Sequence, residues 1–187
     1  MRDLIITQNI TLDGVVSNDS SWFGPADQEG DMGDVNEALM AQAHASDAFL
    51  VGRTTFEEMR GYWPKQADDT TGVTEHLDRV AKYVVSTTLD DPGWAGTTIL
   101  RGPLEDDVRA LKEAEGSDIV VTGSVALCHA LIDADLVDEY RCFVYPHVEG
   151  RGRRLFEGRT SVPPLRTVEA RAFRSGIVLT RHRVVRP

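Results

Sequence analysis

Phe49-Leu50-Val51-Gly52-Arg53-Thr54-Thr55-Phe56-Glu57 is the stretch that decides the architecture. An unbroken apolar run stops at a glycine, and a polar segment with helical spacing starts at once. A strand that is apolar at every position needs cover on both faces, which helices above and below a parallel sheet supply. The same order of strand, glycine and helix returns at Ile119-Val120-Val121-Thr122-Gly123-Ser124-Val125-Ala126-Leu127. Two such units predict parallel strands joined by helices, an α/β protein.

Outward from these units, further apolar runs occupy residues 4–10, 82–86, 98–100, 140–145, 165–173 and 177–185, beside 48–51 and 119–122. Helical stretches fit between them at 33–46, 53–60, 74–80, 104–115 and 124–133. The last two runs meet at Arg174-Ser175-Gly176, a turn with glycine where positive φ is needed, and so read as an antiparallel hairpin at the sheet edge. No repeat or linker divides the chain, so residues 1–187 are expected to form one three-layer domain around a mostly parallel sheet. Residues 18–31, rich in Gly, Pro, Asp, Glu and Asn, read as a mobile surface excursion.

The charge of −10 argues against nucleic acid as a partner, because a polyanion is held by Lys and Arg that release its counterions. That average hides a split: residues 141–187 hold eleven Arg and three Glu, while residues 1–140 carry nine basic and twenty-seven acidic groups. Cys128 and Cys142 lie in apolar runs without the paired spacing of a zinc site or redox motif, and read as buried thiols. The five His show no ligand spacing, so no metal is expected. The first residues lack the apolar stretch of a signal peptide, and no segment approaches the ~20 apolar residues that span a bilayer. A cytoplasmic location without membrane association is expected.

Ligands in open α/β sheets bind beyond the carboxyl ends of the strands, where helix starts expose amides. At Gly52-Arg53-Thr54-Thr55 a phosphate could meet amides, a guanidinium and hydroxyls together, although Thr54 or Thr55 could simply cap the helix with Arg53 in solvent. At Gly123-Ser124 the glycine admits close approach and the serine can cap the helix. Lys82-Tyr83-Val84-Val85-Ser86-Thr87-Thr88 ends a strand in hydroxyls. Gly150-Arg151-Gly152 starts a dinucleotide fingerprint, but Leu155 stands in place of the third glycine and no helix follows.

In order, Thr11-Leu12-Asp13-Gly14, Val51 to Glu57, Lys82 to Thr87, Val121-Thr122-Gly123-Ser124, Leu136-Val137-Asp138-Glu139-Tyr140 and Pro146 through Gly150-x-Gly152 to Leu155-Phe156 span nearly the whole chain. The set resembles the dihydrofolate reductase superfamily, and within it the C-terminal reductase domain of bacterial riboflavin-biosynthesis proteins. The resemblance implies a dihydrofolate reductase-like fold and a homodimer that uses NADPH to reduce a small heterocyclic or ribosylamino-pyrimidine-type molecule. By position, Gly52, Arg53, Thr54 and Thr55 would meet cofactor phosphate. Ser86 and Thr87 would meet the adenosine ribose phosphate, and Arg101 and Gly102 the adenine end. Gly123, Ser124 and Val125 would hold the pyrophosphate and nicotinamide side. The family's paired glycines with a cis peptide correspond to Gly123-Ser124, where a cis bond is expected to persist.

For the substrate, Trp22, Asn36, Tyr62 and Trp63 are candidate pocket residues, and Asp13 is the candidate proton source. Asn36 falls where a dihydrofolate reductase has its pterin-binding carboxylate, which disfavours dihydrofolate without removing it as an alternative. A non-catalytic NADPH-binding protein is the other alternative.

Overall fold

The computed structural model describes residues 1–16, 32–158 and 162–186. Trp22 and the whole 18–31 excursion therefore lie outside the described residues. Elements follow the order β1 (Leu4–Thr11), α1 (Gly33–His44), β2 (Ser46–Gly52), α2 (Arg53–Tyr62), α3 (Val73–Arg79), β3 (Ala81–Val85) and β4 (Thr97–Leu100). They continue with α4 (Leu104–Glu113), β5 (Asp118–Val121), α5 (Val125–Asp133), β6 (Glu139–Tyr145), β7 (Leu165–Ala172) and β8 (Val178–Val184). A single sheet has the order β4-β3-β2-β5-β1-β6-β8-β7. Pairing is parallel from β4 to β6, and the β7–β8 hairpin closes that side antiparallel, with β8 against β6 and β7 at the edge. Gly176 takes the positive φ, 83°, that the hairpin turn demands.

Alternation along the strands sorts the core into layers, since successive side chains point to opposite faces. Ala48 and Leu50 of β2 join Val108 of α4 and Leu127 and Leu131 of α5. Their neighbours Phe49 and Val51 face the other way, onto Phe56 of α2 and Leu77 of α3. Farther along that second face, Phe143 and Tyr145 of β6 pack on Val35 and Ala38 of α1. The continuous apolar runs are thus strands sandwiched between helices, as their composition requires.

At the amino ends of the strands lies a dense set of ion pairs. Glu139 is 2% exposed and accepts from Arg141 Nε at 2.6 Å and Arg181 Nε at 2.7 Å. Lys112 Nζ donates to Asp138 Oδ2 at 2.5 Å, Arg186 NH1 donates to Asp138 Oδ1 at 2.7 Å, and Arg183 pairs with Asp3. Much of the C-terminal surplus of arginine is therefore answered by acids of the same chain.

Candidate functional site

At the opposite edge, register aligns the strand ends: Gly52 lies beside Val85, Leu50 beside Val121, and Thr11 beside Tyr145. The two glycine junctions meet there. Gly52 N donates to Gly123 O at 3.1 Å. A Cβ on Gly52 would stand 2.6 Å from Ser124 Oγ, and one on Gly123 would stand 3.1 Å from Thr55 Oγ1. Contact this close excludes any larger residue without displacement of the junction. The Gly123-Ser124 peptide is cis, as expected.

Helix α2 opens at Gly52 with no side-chain cap, so neither Thr54 nor Thr55 closes its start. The first amides of a helix have no intrahelical partner, and together with the dipole they favour an anion. Arg53 is exposed and lies against Glu57, with NH1 to Oε2 at 2.9 Å. Such an exposed i,i+4 pair is worth only ~0.3 to 0.5 kcal/mol, so an arriving phosphate can recruit Arg53 cheaply. In α5, by contrast, Ser124 Oγ accepts from Leu127 N at 3.4 Å and caps the helix.

Along the edge, buried Ser86 accepts from Thr88 N at 3.2 Å and Leu89 N at 2.9 Å, and Thr87 is exposed. Arg101 donates to the carbonyls of Thr87 and Leu89, so its guanidinium shapes the turn after β3. Gly102 N donates to Asp107 Oδ2 at 2.9 Å. These residues form one continuous border with the glycine junctions, running from β5 through β2 and β3 to β4.

Asp13 belongs to a different construction. Its carboxylate accepts from Thr11 Oγ1 at 2.7 Å, Glu149 N at 3.1 Å, Gly150 N at 2.9 Å and Arg154 NH2 at 3.2 Å. The Thr11 hydroxyl is the largest influence; burial, next in size, opposes it, and the amides of Glu149 and Gly150 reinforce it, so the carboxyl sits well below the usual carboxylate range. Arg154 Nε also donates to Asp13 O at 3.0 Å, and Leu12 N donates to His147 O at 2.9 Å. The loop after β6 is thereby laced to the turn after β1. Arg154 and the amides of Glu149 and Gly150 escaped the sequence reading; a lone arginine-rich loop next to a Thr-x-Asp turn was the available signal.

Among the pocket candidates, Tyr62 is 47% exposed and meets Trp63 edge-on at 5.1 Å between ring centroids, while Trp63 packs toward Phe56 and Leu77. Asn36 is half-buried in α1, which lies on the same face of the sheet as α2. Among the described residues no group of three or more His, Cys, Asp or Glu could hold a metal, and no helix is long and apolar enough to cross a membrane. Cys128 and Cys142 are buried free thiols; burial pushes Cys128 up to about 12 and Cys142 up to about 11.

Comparison with known proteins shows the same fold and the family. An uncharacterised Bacillus subtilis (strain 168) protein, YyaP, is 30% identical over 179 residues, covering 95% of this chain and 92% of its own. A Shewanella sp. PV-4 protein assigned provisionally to riboflavin biosynthesis shares the fold with a TM-score of 0.72 at 18% identity, covering 98% of this chain and 99% of that one. The Thermotoga maritima diaminohydroxyphosphoribosylaminopyrimidine deaminase/5-amino-6-(5-phosphoribosylamino)uracil reductase shares it with a TM-score of 0.67 at 19% identity, covering 98% of this chain and 57% of that one. The family model described as RibD C-terminal domain matches residues 2–179, and the chain belongs to that family.

Proposed function

We propose that this chain is an NADPH-dependent reductase that transfers hydride to a small heterocyclic or ribosylamino-pyrimidine-type substrate. The observation that carries this reading is the contact between the Gly52 and Gly123-Ser124 junctions, which leaves uncapped amides of α2 beside the start of α5 at the carboxyl edge. Such a cradle fits a diphosphate, with amides toward its oxygens and no side chain in the way. NADPH, when bound, supplies the hydride. Gly52, Thr54, Thr55 and a recruited Arg53 hold phosphate; Gly123, Ser124 and Val125 offer backbone to the pyrophosphate and nicotinamide side; Ser86, Thr87, Arg101 and Gly102 border the adenosine end.

Asp13 changes role in this reading. A carboxylate held ionised by four donors is a poor source of a proton at neutral pH, so the proton comes from water and Asp13 keeps the loop after β6 in place. Asn36, Tyr62 and Trp63 line the substrate side on the α1 and α2 face. The Thermotoga protein's name supplies the substrate class, a phosphoribosylamino-pyrimidine. Dihydrofolate fits less well, because Asn36 cannot offer the charge a pterin needs.

Titration of NADPH fluorescence tests the first half: saturable binding is expected, and its absence up to millimolar protein would end the proposal. Turnover of 5-amino-6-(5-phosphoribosylamino)uracil, compared with dihydrofolate under the same conditions, tests the second. NADPH binding without oxidation by either would favour a non-catalytic binding protein.

A further inference from the structure

Residues 86–96 carry the chain from β3 back to the start of β4, and the two strands run parallel. Such a crossover is usually a helix, which satisfies its own backbone. This one contains neither helix nor strand, so its carbonyls and amides need partners from elsewhere. Side chains supply them. In the first half, Ser86 Oγ accepts from the amides of Thr88 and Leu89, and Arg101 donates to the carbonyls of Thr87 and Leu89. In the second half, Arg60 of α2 reaches across, with NH1 donating to Asp91 O at 3.2 Å and to Pro92 O at 2.8 Å.

The corner that receives Arg60 is shaped for it. Asp91 Oδ1 accepts from Gly93 N at 2.9 Å, and Gly93 takes a φ of 55°. A Cβ on Gly93 would stand 3.3 Å from Arg60 NH1, so a side chain there would crowd the guanidinium. The same guanidinium lies 5.7 Å from the centre of the Phe56 ring, and that ring lies 5.9 Å from Trp94. Trp94 in turn has Lys82 Nζ 5.0 Å from its ring and donates to Asp78 Oδ1 at 3.3 Å, which pins the return of the crossover to β3 and α3. Helix α2 thus meets the site twice. Its first residues form the phosphate cradle, and Arg60, about two turns on, fixes the crossover that opens with exposed Thr87 and Thr88 at the carboxyl end of β3.

We propose that Arg60 is a positioning residue for the adenosine half of the cofactor. It acts through the backbone of residues 91 and 92 without touching the ligand, and so keeps the Thr87 and Thr88 hydroxyls at a set distance from the diphosphate cradle. A ligand that spans two fixed points is sensitive to their spacing, because a displacement of about an ångström spoils the hydrogen bonds at one of them. The identity of that ligand as NADPH rests on the reductase reading; the bracing of the crossover does not.

The experiment titrates the full chain and R60Q with adenosine 2′,5′-bisphosphate by calorimetry and with NADPH by fluorescence. Hydrogen exchange at the Gly52 amide, which donates to Gly123 O, reports separately on the cradle. In R60Q the affinity for both ligands should fall about tenfold, while exchange at Gly52 changes less than about twofold. R60K keeps a cation able to donate to both carbonyls and should recover most of the loss. G93A crowds the same corner from the crossover side; it should repeat the R60Q pattern and stands in for R60Q if that variant does not fold. Unchanged bisphosphate affinity in the folded variant would overturn the proposal, as would a wild-type chain that binds no bisphosphate. A loss matched by equally faster exchange at Gly52 would also overturn it, since Arg60 would then be merely structural. If the bisphosphate binds and depends on Arg60 while NADPH does not bind, the reductase reading fails and the positioning role stands.

Discussion

Glu139 is a carboxylate almost without solvent, at 2% exposure, yet ionised. Burial pushes its carboxyl up, and hydrogen bonds from Arg181 and Arg141 outweigh that push, leaving it below the ordinary value of 4.5. A depressed folded-state pKa gives stability that is fully present above the unfolded value and is lost as pH falls through the folded one. Urea denaturation should therefore show wild-type stability declining below about pH 4.5, with E139Q showing a flatter decline. At pH 7 the same variant should be about 3 kcal/mol less stable, since it leaves two guanidinium groups facing a neutral amide. Asp13 offers the contrasting case. D13N keeps the shape but removes the charge that gathers the amides of Glu149 and Gly150. Hydrogen exchange at those two amides should quicken by tenfold or so while NADPH affinity holds, in line with a charge-assisted bond replaced by a neutral one; slow exchange in D13N would show that the loop stands without it.

Between β2 and β5 the critical quantity is distance. G52A places a methyl 2.6 Å from Ser124 Oγ, so the junctions must separate or Ser124 must leave its cap. The expected result is about a tenfold loss of NADPH affinity, read by fluorescence, with a smaller loss of stability, because a displacement of about an ångström spoils donor geometry before it spoils a core. The glycines, the strand that precedes each and the helix that follows were all legible in the sequence, since an apolar run cut by Gly and followed by helical spacing admits few other structures. So was the hairpin, down to the turn at Gly176. What the sequence could not disclose was side-chain commitment. Arg101 shapes its own turn, Arg53 lies on Glu57, and Asp13 is consumed by a loop more than a hundred residues downstream. Residue type announces a capacity for bonding, and only the fold decides which partner arrives first.

Across the molecule, β7 is an edge strand with no further partner among the described residues, and Leu165 and Val168 are exposed at 41% and 43%. Open edges of this kind take up another strand unless blocked. Our reading as a homodimer predicts a sedimenting species of about twice 20.6 kDa at micromolar concentration. V168K should shift it toward the monomer by placing a charge on the edge; a wild-type chain that sediments as a monomer would count against this assembly. The two edges of the strands, meanwhile, have been given different work. Glu139 and Asp138 with their arginine and lysine partners hold the amino ends, while glycines, hydroxyls and loops occupy the carboxyl ends. Such a division makes the fold evolvable: residues of the loops at the carboxyl ends can be exchanged without disturbing the charges on which the folded chain depends.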